Sequence, residues 1–154
     1  MNIFYLDKNV KKCAQYHNDK HVVKMILETA QLLCGAHWAT GGEAPYKLSH
    51  KNHPSAIWTR TNIQNYLWLC NLGLELCFEY SRRYGKTHKS YEIILWCCDN
   101  HPNIPDGKFH EPPPAMPDEC KVGNCAILSY RKYYMTEKRA ICNWKDNAQP
   151  HWFR

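Results

Sequence analysis

The sequence predicts an all-α fold, a single compact helical domain spanning residues 1–154 with a long central helix and a proline-rich loop segment. Three observations predict it. Apolar residues recur at helical spacing along most of the chain, and no window keeps the alternation of a half-buried strand. The stretch from about Ser55 to Tyr84 stays apolar around most of a helical circumference, which suits a central position. Finally, Pro102, Pro105, Pro112, Pro113, Pro114 and Pro117 fall between Asn100 and Asp118, a density that excludes regular helix there.

Taken in order, the first helix is expected over about Val10 to Cys34, with a break near His17-Asn18-Asp19 and Gly35 as its stop. Gly41-Gly42 and Pro45 mark a loop, and His50-Lys51-Asn52-His53-Pro54 a turn into the central helix, which Gly85 ends. Ser90 can cap a short helix through Glu92, Ile93, Ile94 and Leu95. The proline-rich segment reads as ordered surface chain, because too little sequence follows it to build an independent core. A last helix or helix pair runs from about Ala126 to Trp144, with Thr136 a cap between halves, and the tail is Gln149-Pro150-His151-Trp152-Phe153-Arg154.

A chain of 154 residues, 44% of them hydrophobic, can bury a real core. No stretch approaches the roughly 18 apolar residues of a membrane span, and no signal-peptide pattern opens the chain, so an intracellular protein with no membrane partner is expected. The nine cysteines are odd in number and lack a repeating spacing, so reduced thiols are the default. Cys13, Cys34, Cys70, Cys77 and Cys142 sit at apolar helical positions and read as small core residues. Cys97-Cys98 with His101, and Cys120 with Cys125, have poor spacing for a tetrahedral zinc ion.

The net charge of +6 suits a polyanionic partner without requiring one. Cations alternate with aromatics in Tyr130-Arg131-Lys132-Tyr133-Tyr134 and Ser81-Arg82-Arg83-Tyr84, as nucleic-acid surfaces do when cations meet phosphates and rings meet bases. Arg60, Lys20, Arg131 and Lys132 are candidates for such contacts. Arg82, Arg83, Lys86 and Lys89 either join them or offset the dipole at the end of the central helix. Trp152 and Phe153 either wedge into a base stack or latch onto the domain.

The segment with most chemical content is Asp19-Lys20-His21 followed by Glu28. As a continuous helix it lines up His17, His21, Lys24, Glu28 and Gln31 on one polar stripe, while Val22, Ile26, Ala30 and Leu33 turn toward a core. A carboxylate among imidazoles and an ammonium can transfer protons; it can equally be a solvated face with a Lys24–Glu28 ion pair.

Three segments together resemble the pyrimidine-dimer DNA glycosylase family of the endonuclease V type known from phages. Asp19-Lys20-His21 with Glu28 is similar to the family's early-helix motif. Trp68-Leu69, Leu74-Glu75-Leu76, Glu79 and Arg82-Arg83 follow the order of its long helix, and Pro150, Trp152 and Phe153 match its C-terminal aromatic motif. The resemblance implies an all-helical protein whose N-terminus packs near the carboxylate. It implies base excision on damaged or modified duplex DNA without a metal or other cofactor. An α-amine would attack C1′, an imine would form, and Glu28 would move protons, with His21 and Lys24 beside it.

Chemical logic supports that chemistry. An ordinary α-amine titrates near about 7.7–8.0, well below lysine, so a useful fraction is a neutral nucleophile at pH 7. This chain departs from the family at informative points. Residue 2 is Asn, larger than the residues that normally permit Met1 removal, so the Met1 amine would be the nucleophile, with Lys20 and Lys24 as alternatives. Leu27 and Gln31 stand where the family has phosphate-gripping arginines, and the C-terminal extension is short. A DNA glycosylase with AP-lyase activity is therefore the first expectation. The rivals are a nucleotide-binding or nucleotide-processing protein on the same fold, and a non-catalytic nucleic-acid-binding module.

Overall fold

After Met1 and Asn2 come four apolar residues, Ile3–Leu6, and all four are buried. They have no helical periodicity to satisfy and run as extended chain into the interior, where Phe4 stacks on aromatic rings of later helices. A computed structural model describes residues 1–154 and builds the rest from helices. These are α1 (Val10–Tyr16), α2 (Asp19–Ala39), α3 (Pro54–Thr59), α4 (Ile63–Tyr84), α5 (Tyr91–Asp99) and α6 (Ala126–Met135), with short 3₁₀ turns at Asp118–Cys120 and Arg139–Ile141. The only strand-like pairing is one isolated bridge, Val122 to Cys125. The expected all-α fold is observed.

Helix α4 is central and packs on α1, α2, α3 and α5. Gly73 allows its closest approach: a Cβ there would stand 3.1 Å from Ile94 Cγ2 of α5 and 3.2 Å from Thr29 Cγ2 of α2. Gly85, at φ 69°, ends α4 in the left-handed conformation that glycine adopts without strain, as the sequence predicts.

The first expected helix breaks where the sequence places the break, at His17 and Asn18; Asn18 Oδ1 then caps α2 by accepting from His21 N. The second breaks at Arg60–Asn62, where Asn62 Oδ1 accepts from Asn65 N and Ile63 N donates to Pro105 O. The stop expected at Gly35 is not used. Gly35 is buried inside α2, which runs to Ala39 and leaves through Thr40 and Gly41, the latter at φ 87°. The proline-rich segment lies across the starts of α3 and α4. Trp58 Nε1 donates to His110 O, and Asn62 Nδ2 to Lys108 O.

The break after α1 leaves carbonyls that need donors, and Arg83 supplies them. Its guanidinium is 2% exposed and donates to Gln15 O, His17 O, Asp19 Oδ1 and Glu79 Oε1 at 2.9–3.1 Å. Burial opposes the Glu79 charge, but hydrogen bonds from Arg82 and Asn147 and the charge of Arg83 hold its carboxyl below the usual range. Arg83, a candidate phosphate ligand in the sequence, is thus an internal tie with no face toward solvent. Replacing it with Met leaves the carbonyls of Gln15 and His17 without their donor and takes one of its three partners from the buried Glu79 carboxylate. Urea denaturation is expected to show a loss of about 3–5 kcal/mol, as for other broken buried ion pairs. A stability near wild type would contradict this role.

Candidate active site

Glu28 lies in the middle of α2, with its side chain 12% exposed. The buried N-terminal segment brings the start of the chain to it. The Met1 α-amine nitrogen stands 3.3 Å from Glu28 Oε1, and the Met1 side chain is 2% exposed. Asn2 N donates to the same oxygen at 3.1 Å. Lys24 Nζ approaches the other oxygen, Oε2, at 3.9 Å, from a side chain that is 70% exposed. One carboxylate therefore meets two amines, one sheltered and one solvated.

The N-terminal segment is pinned by α1 and α6. Cys13 Sγ donates to Phe4 O, and Arg131 Nε donates to Leu6 O while its Nη2 pairs with Asp7 at 3.1 Å. Phe4 covers His21, with ring centroids 4.2 Å apart. Asn2 Nδ2 donates to Ala115 O, so the proline-rich segment also touches the site. His53 at the start of α3 accepts from Ser55 N through Nδ1. Burial lowers its protonation range, as does the charge of the nearby α-amine. The largest cleft, about 630 Å³, lies elsewhere, at the C-terminal end of α2 around His37, Glu43, Asp99 and His101. It holds no amine–carboxylate pair. A smaller cleft of about 360 Å³, between Pro54, Ile57 and Pro113, borders the segments that hold the N-terminus.

The polar stripe does not survive intact. His17 ends α1, is buried, and donates from Nδ1 to Cys13 O at 2.7 Å. His21 is on α2 but also buried. Its Nδ1 lies 2.7 Å from Tyr134 Oη, which already accepts from Asn18 N, so the phenol donates to the imidazole. His21 thus braces the Phe4–Tyr134 packing and does not join the amine at Glu28.

Burial holds both histidines neutral, pulling His17 down to about 4 and His21 to about 3. In the unfolded chain each takes up a proton near its ordinary value of about 6.5. Below that pH the unfolded state binds more protons than the folded one. The stability from keeping them neutral is therefore complete above that range and is lost as pH falls toward the folded values. Between pH 7 and pH 5 we expect a loss on the order of 2 kcal/mol for each histidine, read from urea midpoints. A flat profile would contradict their burial.

The remaining candidates disperse. Trp152 and Phe153 are buried: Trp152 packs edge-on to Tyr16 and beneath Arg131, and Phe153 against Trp144. The structure gives the latch and not the wedge. Arg131 is held by Leu6 O, Asp7 and two rings; Arg82 is paired with Glu79; Arg60 donates to Lys51 O. Lys20 and Lys86 are exposed, and Lys132 is half-buried. Cys97 faces Cys34, Cys120 faces Thr136, and no three His, Cys, Asp or Glu side chains stand together as a metal site. Asn2, Tyr130 and His53 belong to the site or its border, although the sequence points to Tyr130 only within a cation–aromatic run and to His53 only within a turn. Asn2 stood out in the sequence only for its size.

A model of the pyrimidine dimer DNA glycosylase family matches residues 1–92, which carry Met1, Lys24, Glu28 and His53. The chain belongs to this family. It is thereby placed among DNA repair glycosylases, and DNA is the substrate class the family implies. No curated protein and no solved structure matches the chain. The family match covers the N-terminal segment and helices α1–α4, and stops before the proline-rich segment and Tyr130.

Proposed function

We propose that this family member is a DNA glycosylase with AP-lyase activity on damaged or modified duplex DNA, with the Met1 α-amine as nucleophile. The observation that carries the reading is the 3.3 Å pairing of that amine with Glu28 in a largely sheltered position. The amine gives up a proton, for which Glu28 Oε1 is the adjacent acceptor, and its lone pair forms a bond to C1′. The C1′–base bond breaks, and the base departs with the electron pair and takes up a proton. Opening of the sugar ring yields an imine between Met1 and C1′. Removal of a C2′ proton then expels the 3′ phosphate by β-elimination. Glu28 also steadies the positive charge that develops on the sugar. Extruding a nucleotide gives access to C1′, most cheaply where damage has weakened stacking.

The test is borohydride trapping with UV-irradiated and abasic duplexes. A covalent protein–DNA adduct supports the reading, and its absence with wild-type protein contradicts it. A nucleotide-processing alternative draws on Leu27, which is 42% exposed beside Glu28 where the family has a phosphate-gripping arginine. Duplex binding that falls steeply with added salt favours the DNA enzyme, and weak, salt-insensitive binding favours the alternative.

A further inference from the structure

Asn2 uses nearly all of its hydrogen-bonding capacity at the start of the chain. Its Oδ1 accepts from Ile3 N at 2.9 Å and from the Tyr130 hydroxyl at 2.9 Å. Its Nδ2 donates to Ala115 O at 2.9 Å, and its backbone N donates to Glu28 Oε1 at 3.1 Å. An amide side chain offers one acceptor oxygen and two N–H donors, so both lone pairs and one donor are engaged. Tyr130 is wholly buried. Its single proton is shared between Asn2 Oδ1 and the nearer Pro113 O, 2.7 Å away, and its oxygen accepts from Ala115 N at 3.2 Å. Asn2, Tyr130 and Pro113–Ala115 thus form a closed polar network around the first peptide group.

That network has a geometric consequence. The amine is joined to the peptide between residues 1 and 2 through a single backbone torsion, ψ of Met1. With that peptide held by Asn2 on one side and Glu28 on the other, the amine has little room to wander. A nucleophile held in one orientation reacts far faster than one that must find it.

The geometry points to Asn2 and Tyr130 as positioning residues that aim the Met1 amine, with the proline-rich segment as their fixed anchor. Neither touches the reacting atoms. The inference rests on the amine-nucleophile reading and assigns work to Tyr130 and Pro113–Ala115, which lie beyond the part of the chain that matches the family.

The variants are Asn2→Leu and Tyr130→Phe in the full chain. Leu at position 2 keeps the bulk that retains Met1, which intact mass verifies; Ala would invite its removal. Tyr130→Phe keeps the buried ring and removes only the hydroxyl. Two readouts are taken. In single-turnover trapping on abasic duplex at saturating protein, both variants are expected to form the imine roughly 10- to 100-fold more slowly, with duplex Kd unchanged. In a brief pulse of acylating reagent without DNA, the Met1 amine is expected to label several-fold faster than in wild type. Unchanged trapping and labelling in both variants overturns the inference, as does a slowing that merely follows Kd or melting temperature. If wild type forms no imine, the amine-nucleophile reading fails. The labelling arm still judges the socket: faster labelling in the variants upholds it, and equal labelling overturns it.

Discussion

Glu28→Gln is expected to lower base release and strand cleavage by roughly 10²- to 10⁴-fold, the range spanned by loss of a positioned proton-transfer group. Glutamine keeps the shape of the side chain, and its oxygen still accepts from Asn2 N, so the N-terminal segment stays docked. The negative charge beside the α-amine is lost, and with it the acceptor for the amine's proton. The measurement is single-turnover cleavage of abasic and UV-irradiated duplexes at saturating protein, with a thermal melt beside it. A slow variant that melts with wild type assigns the defect to chemistry. A rate near wild type would reduce Glu28 to an anchor for the chain terminus.

Blocking the Met1 amine is expected to have the larger effect. An acetylated α-nitrogen has no lone pair free for attack on C1′, and an added residue carries the new amine away from Glu28. Either change removes both the nucleophile and the orientation that makes it effective, so imine formation should fall to background. Lys24 is not expected to replace it, since its Nζ is farther from the carboxylate and largely exposed. The check is trapping with protein acetylated at the N-terminus, confirmed by intact mass. Trapping that survives acetylation would move the chemistry to a lysine.

The contrast between the two largest polar features of the chain shows which parts of this site can be read from sequence. Glu28 is legible because its spacing from Asp19-Lys20-His21 places it in mid-helix, within a motif that resembles a known family. The helix break at His17–Asn18 is read from the sequence, whereas the one at Arg60–Asn62 is harder, because apolar periodicity continues through it. Arg83 and Pro105 supply the partners of the two breaks from elsewhere in the chain. The same distance explains Arg83 itself. As sequence it is one cation in a basic cluster; the carbonyls that bury it lie at Gln15 and His17. Likewise His21 reads as a polar residue beside a carboxylate, whereas Tyr134 and Phe4 draw it inside. Tyr130 could not be found from local pattern, since its role depends on meeting residue 2 across the whole chain. Apolar periodicity set the fold class, and long-range hydrogen bonding decided which polar residues remain available for chemistry.

The most direct test asks which nitrogen carries the sugar. Protein trapped with borohydride on abasic duplex is digested with nuclease and protease, and the modified peptide is sequenced by mass spectrometry. The remnant should sit on the α-nitrogen of the Met1 peptide, and Lys24→Ala should leave its yield unchanged. A remnant on Lys20 or Lys24 with Met1 unmodified would contradict the amine–Glu28 site.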